Sequence, residues 1–362
     1  MINRSWRKLL ATAVLVIVCL AALVSCALGG ATSSEKEFVV FMPTTSDPYI
    51  AGVARGIREE AHRQGYVATI IENNFDQSQQ DQQVRQYLIG SRHPAAVLWW
   101  PNNAKASINS LRQLARVAPV IQFNTPVDPS TAEYVTAYAG QSHFDVAFAA
   151  GQSALQGRRD ALAEGATLHG RGGNLLEFTY PISYDGNIIR SDGFDQATAS
   201  EPFNILRKEP AGFSPQEGYL AAAQVIPRFK AQGIDFVYTH SSLLAIGVIK
   251  ALRENGLTPG KDVQVIAANI VGDLTDLRSG AMYSAVIQAP YIEGQIVVRS
   301  AVKYLDTMEV APGAIHMPAT PEDPGIGSGP PAEESYMPNP AVTFKTVDSI
   351  RVWGLDIDGL TN

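Results

Sequence analysis

The sequence predicts an α/β protein with two doubly wound parallel-sheet lobes. From residue 38 onward, apolar strand-like runs alternate with amphipathic helical stretches, as in parallel strands joined by right-handed helical crossovers. The runs are continuously apolar, which is typical of strands that helices cover on both faces of a sheet. A body of about 300 residues fits two such lobes better than one sheet. The expected strands lie at residues 38–42, 67–71, 95–100, 119–123, 174–178, 203–207, 234–239, 263–268 and 283–288.

The stretches between the strands carry helical periodicity. Ile50, Val53, Ile57 and Ala61 recur at helical spacing after the first strand, and a second apolar stripe lies within 292–305. Both stripes predict helices that bury one face against a sheet.

The segment 311–342 differs from the rest of the chain in composition. It holds eight prolines and four glycines, which is too many for a helix or a central strand. We expect a Pro/Gly-rich surface excursion there, followed by a last apolar segment at 342–353.

Charge and cysteine usage narrow the function classes. The 362-residue chain has a net charge of −7; the segment 1–26 holds three basic and no acidic side chains, so the remainder carries −10. Such an acidic chain lacks the cationic field that attracts nucleic acid or anionic lipid. Both cysteines, Cys19 and Cys26, lie in that first segment, so the body has no disulfide and depends on core packing.

The N-terminus has the pattern of an export signal. Arg4, Arg7 and Lys8 precede an apolar run at 9–24, which is too short for a membrane-spanning helix. We therefore expect the mature chain to be periplasmic or otherwise in the cell envelope.

The end of this signal resembles the lipobox of bacterial lipoproteins. The tetrapeptide LVSC at 23–26 would make 1–26 a signal peptide and Cys26 the lipidated first residue of a membrane-anchored protein. Ordinary secretion with cleavage after Ala27 is the alternative. The small and polar residues at 27–37 indicate a flexible tether in either case.

No catalytic, metal or phosphate motif stands out. The chain lacks G-x-x-x-x-G-K-[ST] and H-E-x-x-H, and GQSAL at 151–155 fails the G-x-S-x-G pattern at its last position. The six histidines have no metal-ligand spacing. The glycine-rich 170–173 precedes a strand, whereas a phosphate cradle follows one. We expect a protein that is not an enzyme and uses no metal or cofactor.

Polar and aromatic side chains follow the expected strands. Ligands of doubly wound sheets bind beyond the carboxyl ends of the strands, where these residues lie. Amides and an acid suit hydroxyl groups, and flat rings suit C–H faces, so the set fits a small neutral polyhydroxylated molecule. The residues are Asp47, Tyr49, Trp99, Trp100, Asn124, His240, Ser241, Asn269 and Gln288.

Four motifs occur in an order that carries a family resemblance. They are TSDPY at 45–49, RSDGF at 190–194, YTHSS at 238–242 and VIQAP at 286–290. With this order and spacing, the chain from about Glu37 to Val310 resembles the type I periplasmic sugar-binding proteins, the ribose-, galactose- and xylose-binding relatives that serve ABC importers.

The resemblance implies a three-crossover hinge between the lobes, near Gln141, near Gln288 and after Val310. The lobes would comprise 38–141 with 289–317, and 142–288 with 318–362 (including the excursion at 311–342). A small sugar or polyol would bind in the interlobe cleft and favour the closed state. The partner would be an inner-membrane ABC permease, and the protein would act as a monomer.

The resemblance also implies a set of ligand contacts. This chain departs from the family pattern at four of them, because Asp47 stands where asparagine is usual, and Asn124, Gln141 and Asn269 stand where aspartate is usual. The implied contacts are Asp47, Tyr49, Trp100, Asn124, Gln141, Arg190, Phe213, Ser241, Asn269 and Gln288.

Alternatives remain open for single residues and for the function. Asp47 before Pro48 also fits a helix N-cap, and of the adjacent Trp99 and Trp100 only one can face the cleft. The side-chain amides of Gln141, Asn269 and Gln288, near the expected hinge, could instead form hydrogen bonds with backbone groups there. The same fold serves periplasmic sensors that present a ligand to a receptor kinase or chemoreceptor, and an aromatic wall would also suit a cationic or amine-oxide osmolyte.

Overall fold

The structure, a computed structural model, covers most of the chain that follows the expected signal peptide. Within the part of the chain it describes, no helix is long and apolar enough to cross a membrane. Outside that part lie the expected signal peptide with Cys26, nearly all of the expected tether, and most of the excursion at 311–342. The described residues are 36–90, 92–310, 335–336, 339–352 and 355–362.

The described chain forms twelve strands in two six-stranded sheets, which confirms the two parallel-sheet α/β lobes. The strands are β1 (Lys36–Pro43), β2 (Tyr66–Asn73), β3 (Ala96–Trp99), β4 (Val120–Gln122), β5 (Ala137–Gly140), β6 (Asn174–Thr179), β7 (Asn204–Pro210), β8 (Phe236–Thr239), β9 (Gln264–Ile270), β10 (Ser284–Ile287), β11 (Ser335–Tyr336) and β12 (Ala341–Thr343). The first sheet has the order β11-β5-β4-β3-β1-β2 and the second the order β12-β10-β9-β8-β6-β7. Eight of the pairings between these strands are parallel, and the pairing of β12 with β10 is antiparallel.

All nine expected strands are present, and β5, β11 and β12 are additional. The segment AYAG of β5 carries no strand signal, because it contains two alanines and one glycine. The strands β11 and β12 have two and three residues, too few for a recognisable pattern. The strands β11 and β12 each form one edge of their sheet, and β5 lies between β4 and β11.

Helices cover both sheets. They are α1 (Pro48–Arg63), α2 (Gln77–Ile89), α3 (Ile108–Leu114), α4 (His143–Ala163), α5 (Gly186–Thr198), α6 (Pro215–Phe229), α7 (Ser242–Glu254), α8 (Thr275–Arg278), α9 (Pro290–Thr307) and α10 (Ile357–Thr361). The closest helix pairs are α1 with α9 in the first lobe, and α4 with α5 and α6 with α7 in the second. These pairs explain why the stripes seen in the sequence are buried.

Within the described residues, the chain passes between the lobes three times. The first passage runs from β5 to α4, the second from β10 to α9, and the third from β11 to β12. The boundary at 317/318 inferred from the sequence would put β11 in the second lobe. Instead, β11 pairs with β5 of the first sheet, so the third passage lies after residue 336.

Two glycines allow the closest approach between α1 and α9. A Cβ at Gly56 would overlap the backbone carbonyl of Tyr291, and one at Gly294 would overlap the backbone of Val53 and Ile57. Because backbone atoms cannot move aside as a flexible side chain can, any larger residue here separates the two helices.

We expect Gly56→Ala to lower the free energy of unfolding by about 1–3 kcal/mol, the usual cost of overpacking. Urea unfolding followed by circular dichroism measures it. Gly90→Ala is the matched control, because a Cβ there meets only ordinary contacts at 3.5 Å. Equal stability of the two variants would contradict the packing argument.

Candidate functional site

A cavity lies between the lobes at the carboxyl ends of the strands. Its empty volume, counted with the solvent space at its opening, is ≈ 420 Å³. Eight of the ten residues implied by the resemblance line it: Asp47, Tyr49, Trp100, Arg190, Phe213, Ser241, Asn269 and Gln288. Six further residues line it that the sequence did not indicate: Ile50, Phe75, Tyr180, Tyr184, Leu243 and Val271.

Asp47 both caps a helix and lines the cavity. Its Oδ1 accepts the backbone N–H groups of Tyr49 (2.8 Å) and Ile50 (3.3 Å), and Pro48 occupies the first turn of α1. Burial raises the pKa of Asp47, while the two backbone hydrogen bonds and the nearby Arg190 oppose the rise. Asp47 therefore has both of the expected roles, because it caps α1 and also lines the cavity.

The two adjacent tryptophans face opposite sides of the first sheet. Trp99 packs with Phe41 (ring centroids 5.7 Å apart) in the outer core of the first lobe. Trp100 lines the cavity and meets Tyr49 edge-on, with centroids 6.3 Å apart. This arrangement follows from the side-chain alternation along a strand.

Asn124 and Gln141 do not line the cavity. Asn124 (φ 60°) directs its Nδ2 to both oxygens of Glu293, each at 3.3 Å. Gln141 donates from Nε2 to the backbone carbonyl of Gln288 and accepts from Asn339 Nδ2 at 2.6 Å, so it joins the three passages between the lobes. The structure gives Gln141 a backbone-satisfying contact at the hinge.

Arg190 is a buried cation with neutral hydrogen-bond partners. Its side chain, 1% exposed, extends from α5 to the cavity. Nε donates to His143 Nδ1 (3.0 Å), and Nη2 donates to Gln288 Oε1 (3.2 Å). Nη1 donates to the Tyr180 hydroxyl (3.2 Å) and to the carbonyl of His240. These acceptors fix the direction of the guanidinium.

Both histidines beside Arg190 are held in the neutral form. Burial lowers the pKa of His143 well below 6.5, and the charge of Arg190 lowers it further. Burial also lowers the pKa of His240, against the effect of Glu177. The Tyr180 N–H donates to His240 Nδ1 (3.2 Å), which leaves Nε2 to donate to Glu177 at 3.0 Å.

Glu177 is connected to Arg190 through His240, which donates a hydrogen bond to its carboxylate. Burial alone would raise the pKa of Glu177, but the hydrogen bond from His240, the charge of Lys208 and the hydrogen bond from Ser191 lower it below its usual value of 4.5. Lys208 Nζ lies 2.9 Å from its Oε2, and Ser191 donates to its Oε1 at 2.6 Å. Glu177 is therefore ionised and holds His240 in place.

Glu293 is a buried acid that the sequence analysis missed. It lies in the first turn of α9, and its carboxylate accepts from the Tyr49 hydroxyl, from Asn124 and from the Gln141 N–H at 3.2 Å. Burial raises its pKa to about 7, although all three donors oppose the rise. A Cβ at Gly140 would lie 2.6 Å from Oε1, so the glycine makes room for the carboxylate.

Aromatic and polar contacts join the lobes at the cavity mouth. Phe75 follows β2 and stacks on Phe213, which follows β7, at 4.2 Å and 15° between the ring planes. Asp185 of the second lobe accepts Asn103 Nδ2 (2.9 Å) and the Ala104 N–H (2.8 Å) of the first. The structure is therefore a closed form. In the sequence, the position of Phe75 after a strand was the signal that could have placed it at the cavity.

The cavity offers no constellation for metal chemistry. Among the described residues, no group of three or more His, Cys, Asp or Glu side chains is placed to hold a metal ion. Polar groups, one cation, one carboxylate and aromatic rings line it.

The raised pKa of Glu293 predicts a pH-dependent stability. Between pH 4.5 and about 7 the folded chain keeps a proton that the unfolded chain releases, so this group's contribution falls as pH rises, by about 3 kcal/mol in all. Urea unfolding should show the stability difference between wild type and Glu293→Gln shrinking by that amount across this window. A constant difference for Glu293→Gln across this window would contradict the assignment.

Comparisons with known proteins agree with this geometry. The model of the family described as "Periplasmic binding protein domain" matches residues 38–309. The ribose import binding protein of Bacillus subtilis (strain 168) is 21% identical over 277 residues, covering 75% of this chain and 82% of the relative. The ribose import binding protein of Escherichia coli (strain K12) is 24% identical over 294 residues, covering 79% and 92%.

Solved structures share the fold. A carbohydrate transporter solute binding protein from Agrobacterium radiobacter, in complex with D-arabinose, superposes with a TM-score of 0.72 at 18% identity, covering 91% of this chain and 99% of that one. A solute binding protein from Bacillus halodurans with bound myo-inositol gives 0.68 at 19% identity, covering 88% and 97%. The family match spans most of the chain and confirms the resemblance drawn from the four motifs, and the protein therefore belongs to the periplasmic binding protein domain family.

Proposed function

We propose that this protein is the solute-binding component of an ABC importer and binds a small neutral sugar or polyol between its lobes. The observation that carries the proposal is the composition of the interlobe cavity. It is lined by the polar side chains of Arg190 and Gln288 and by the aromatic rings of Tyr49, Trp100 and Phe213. Import relatives that share the fold support the importer role over the sensor role.

The charge of the cavity favours a neutral ligand. Asp47 and Arg190 are the ionisable acid and base among its lining residues, and their charges offset each other. An ionic ligand would leave one of the three charges without a counter-charge in a closed site, which is costly. This balance argues for hydroxyl groups as the recognised feature and against a cationic osmolyte.

Ligand binding would stabilise the closed state. Asp47, Tyr49 and Trp100 belong to the first lobe, and Arg190 and Ser241 to the second, so one small molecule reaches both sets only when the lobes are together. The difference in affinity between closed and open forms is the free energy that shifts the equilibrium. A membrane permease that recognises the closed monomer would then receive the ligand, and no catalytic step is required.

Thermal unfolding against D-ribose, L-arabinose, D-xylose, D-galactose and myo-inositol tests this function. A true ligand at a hundred times its dissociation constant should stabilise the fold by about 2.7 kcal/mol. We expect Arg190→Ala to abolish the shift, and Arg207→Ala, at an exposed position on β7, to retain it. Co-purified ligand is first removed by unfolding and refolding. The absence of a shift with every sugar and polyol would overturn the assignment.

We also propose that Cys26 carries a lipid anchor and that residues 27–35, which precede β1, form a tether to the membrane. The LVSC tetrapeptide after a short apolar run supports this proposal. Several acyl chains on one cysteine would give lasting attachment, which one chain does not.

Fatty-acid labelling of the full chain in a bacterial host tests the anchor. We expect label on the wild-type protein and its recovery with membranes. Cys26→Ser should remove the label and release the protein to the soluble fraction, whereas Cys19→Ser should behave as wild type. Unlabelled, soluble wild-type protein would favour ordinary secretion after Ala27.

A further inference from the structure

Asp185 at the start of α5 directs its side chain to the opposite lobe. Three other described helices have an aspartate N-cap that accepts a backbone N–H of the same helix: Asp47, Asp76 and Asp356. Asp185 makes no such capping bond. Its Oδ1 accepts from Asn103 Nδ2 at 2.9 Å and its Oδ2 from the Ala104 N–H at 2.8 Å, both in the first lobe. The usual capping role of aspartate is therefore replaced by a contact across the cleft.

The first-lobe half of this contact is fixed by hydrogen bonds of its own. Gln77 Oε1 accepts the N–H groups of Asn102 (3.1 Å) and Asn103 (3.0 Å). Asn103 Oδ1 accepts the Ala106 N–H at 2.7 Å, which directs Nδ2 of the same amide to Asp185. Because none of these supporting bonds involves the second lobe, the donors keep their positions when the lobes separate. The contact then forms again with little further ordering.

The contact lies outside the ligand cavity. Asp185, Asn103 and Ala104 are not among the residues that line the cavity, and they line an outer groove between the lobes instead. A change at Asp185 can therefore alter the equilibrium between open and closed lobes and leave the ligand contacts of the closed form intact.

The carboxylate depends on its two donors in the closed form. Burial raises the pKa of Asp185, whereas the hydrogen bond from the Ala104 N–H opposes the rise. Asp128 of the first lobe raises the pKa further, because a second negative charge lies nearby. A carboxylate that loses water is stable only where donors replace that water, so each of the two hydrogen bonds matters to closure.

We propose that Asp185 is an interlobe latch, which holds a fraction of the ligand-free protein closed and sets the affinity for every ligand without contacting it. The ligand site has residues from both lobes, so the closed fraction is the form that binds tightly. The apparent dissociation constant then varies inversely with that fraction. The inference deepens the proposed function and rests on it for the effect on affinity, whereas the closed fraction itself can be measured without a ligand.

Exchanging the side chains at positions 185 and 103 tests the latch. Asp185→Asn turns an N–H of the new amide towards a first-lobe donor. Asn103→Asp brings two carboxylates together, while its second oxygen still accepts the Ala106 N–H. Each single change should lower the ratio of closed to open lobes at least about tenfold, because it replaces a hydrogen bond by a repulsive contact.

The double variant Asp185→Asn with Asn103→Asp should restore the ratio to within about threefold of wild type. The new amide at 185 can donate to the new carboxylate at 103 and still accept the Ala104 N–H. A side chain that matters only for the folding of its own lobe would give no such rescue.

Double electron–electron resonance measures the closed fraction from the distance between one spin label on each lobe. The labels are attached at Arg116→Cys and Ala199→Cys, both exposed, in the full chain carrying Cys19→Ser and Cys26→Ser, so that no other thiol remains. Co-purified ligand is first removed by unfolding and refolding. Asp192→Asn, at an exposed position on the same helix α5, is the matched control and should leave the closed fraction unchanged.

Titration calorimetry with the sugars that bind gives the second readout. The dissociation constant of each sugar should rise in Asp185→Asn by the factor by which the closed fraction falls. The factor should be the same for every sugar, since the latch does not touch the ligand.

The outcomes separate the latch from the proposed function. An unchanged closed fraction in the single variants, or a double variant that does not recover it, would overturn the latch, as would a ligand-free wild type with no closed population. An affinity loss that differs among sugars would show that Asp185 acts on the ligand, which also contradicts the inference. If no sugar or polyol binds, the proposed function fails, and the resonance measurement still decides whether Asp185 holds the lobes together.

Discussion

The burial of Arg190 is the constraint on which the second lobe and the hinge depend. A cation with almost no exposure is tolerated only where its N–H groups meet acceptors in fixed positions. Those acceptors come from the start of α4, the ends of β6 and β8, and Gln288 after β10. The neutral forms of His143 and His240 are part of the same requirement, since a charged imidazole beside the guanidinium would repel it. The site and two of the interlobe passages are therefore built around one side chain.

Glu293 holds the corresponding place in the first lobe. It gathers Tyr49, Asn124 and the Gln141 N–H from α1, the end of β4 and the first passage, as Arg190 gathers groups on the other side. The two buried charges act in opposite ways on the cavity. Arg190 reaches into it and supplies polar contacts, whereas Glu293 stays behind it and draws polar atoms away. Burial raises the pKa of Glu293 to about 7.

Closure and recognition use separate contacts. Phe75 with Phe213, and Asp185 with Asn103 and Ala104, join the lobes at the mouth of the cleft. The hydrogen bonds of Arg190 remain within the second lobe and the hinge. Arg190 and its hydrogen-bond partners can thus stay organised while the lobes move apart, which reduces the ordering that a ligand must impose on binding.

The two-lobe α/β fold could be predicted from the sequence, because long apolar runs and helical stripes report burial within single elements. The same reasoning placed Asp47, Trp100, Ser241 and Asn269 at the cavity, since the carboxyl ends of parallel strands share one edge of a sheet. Three features emerged only from the folded chain: Asn124 turns from the cavity, β11 completes the first sheet, and Glu293 meets Tyr49 across 244 positions of chain. In the sequence, Glu293 is an ordinary acid in a first helical turn. Its role arises from side chains that only the packing of separate elements brings together.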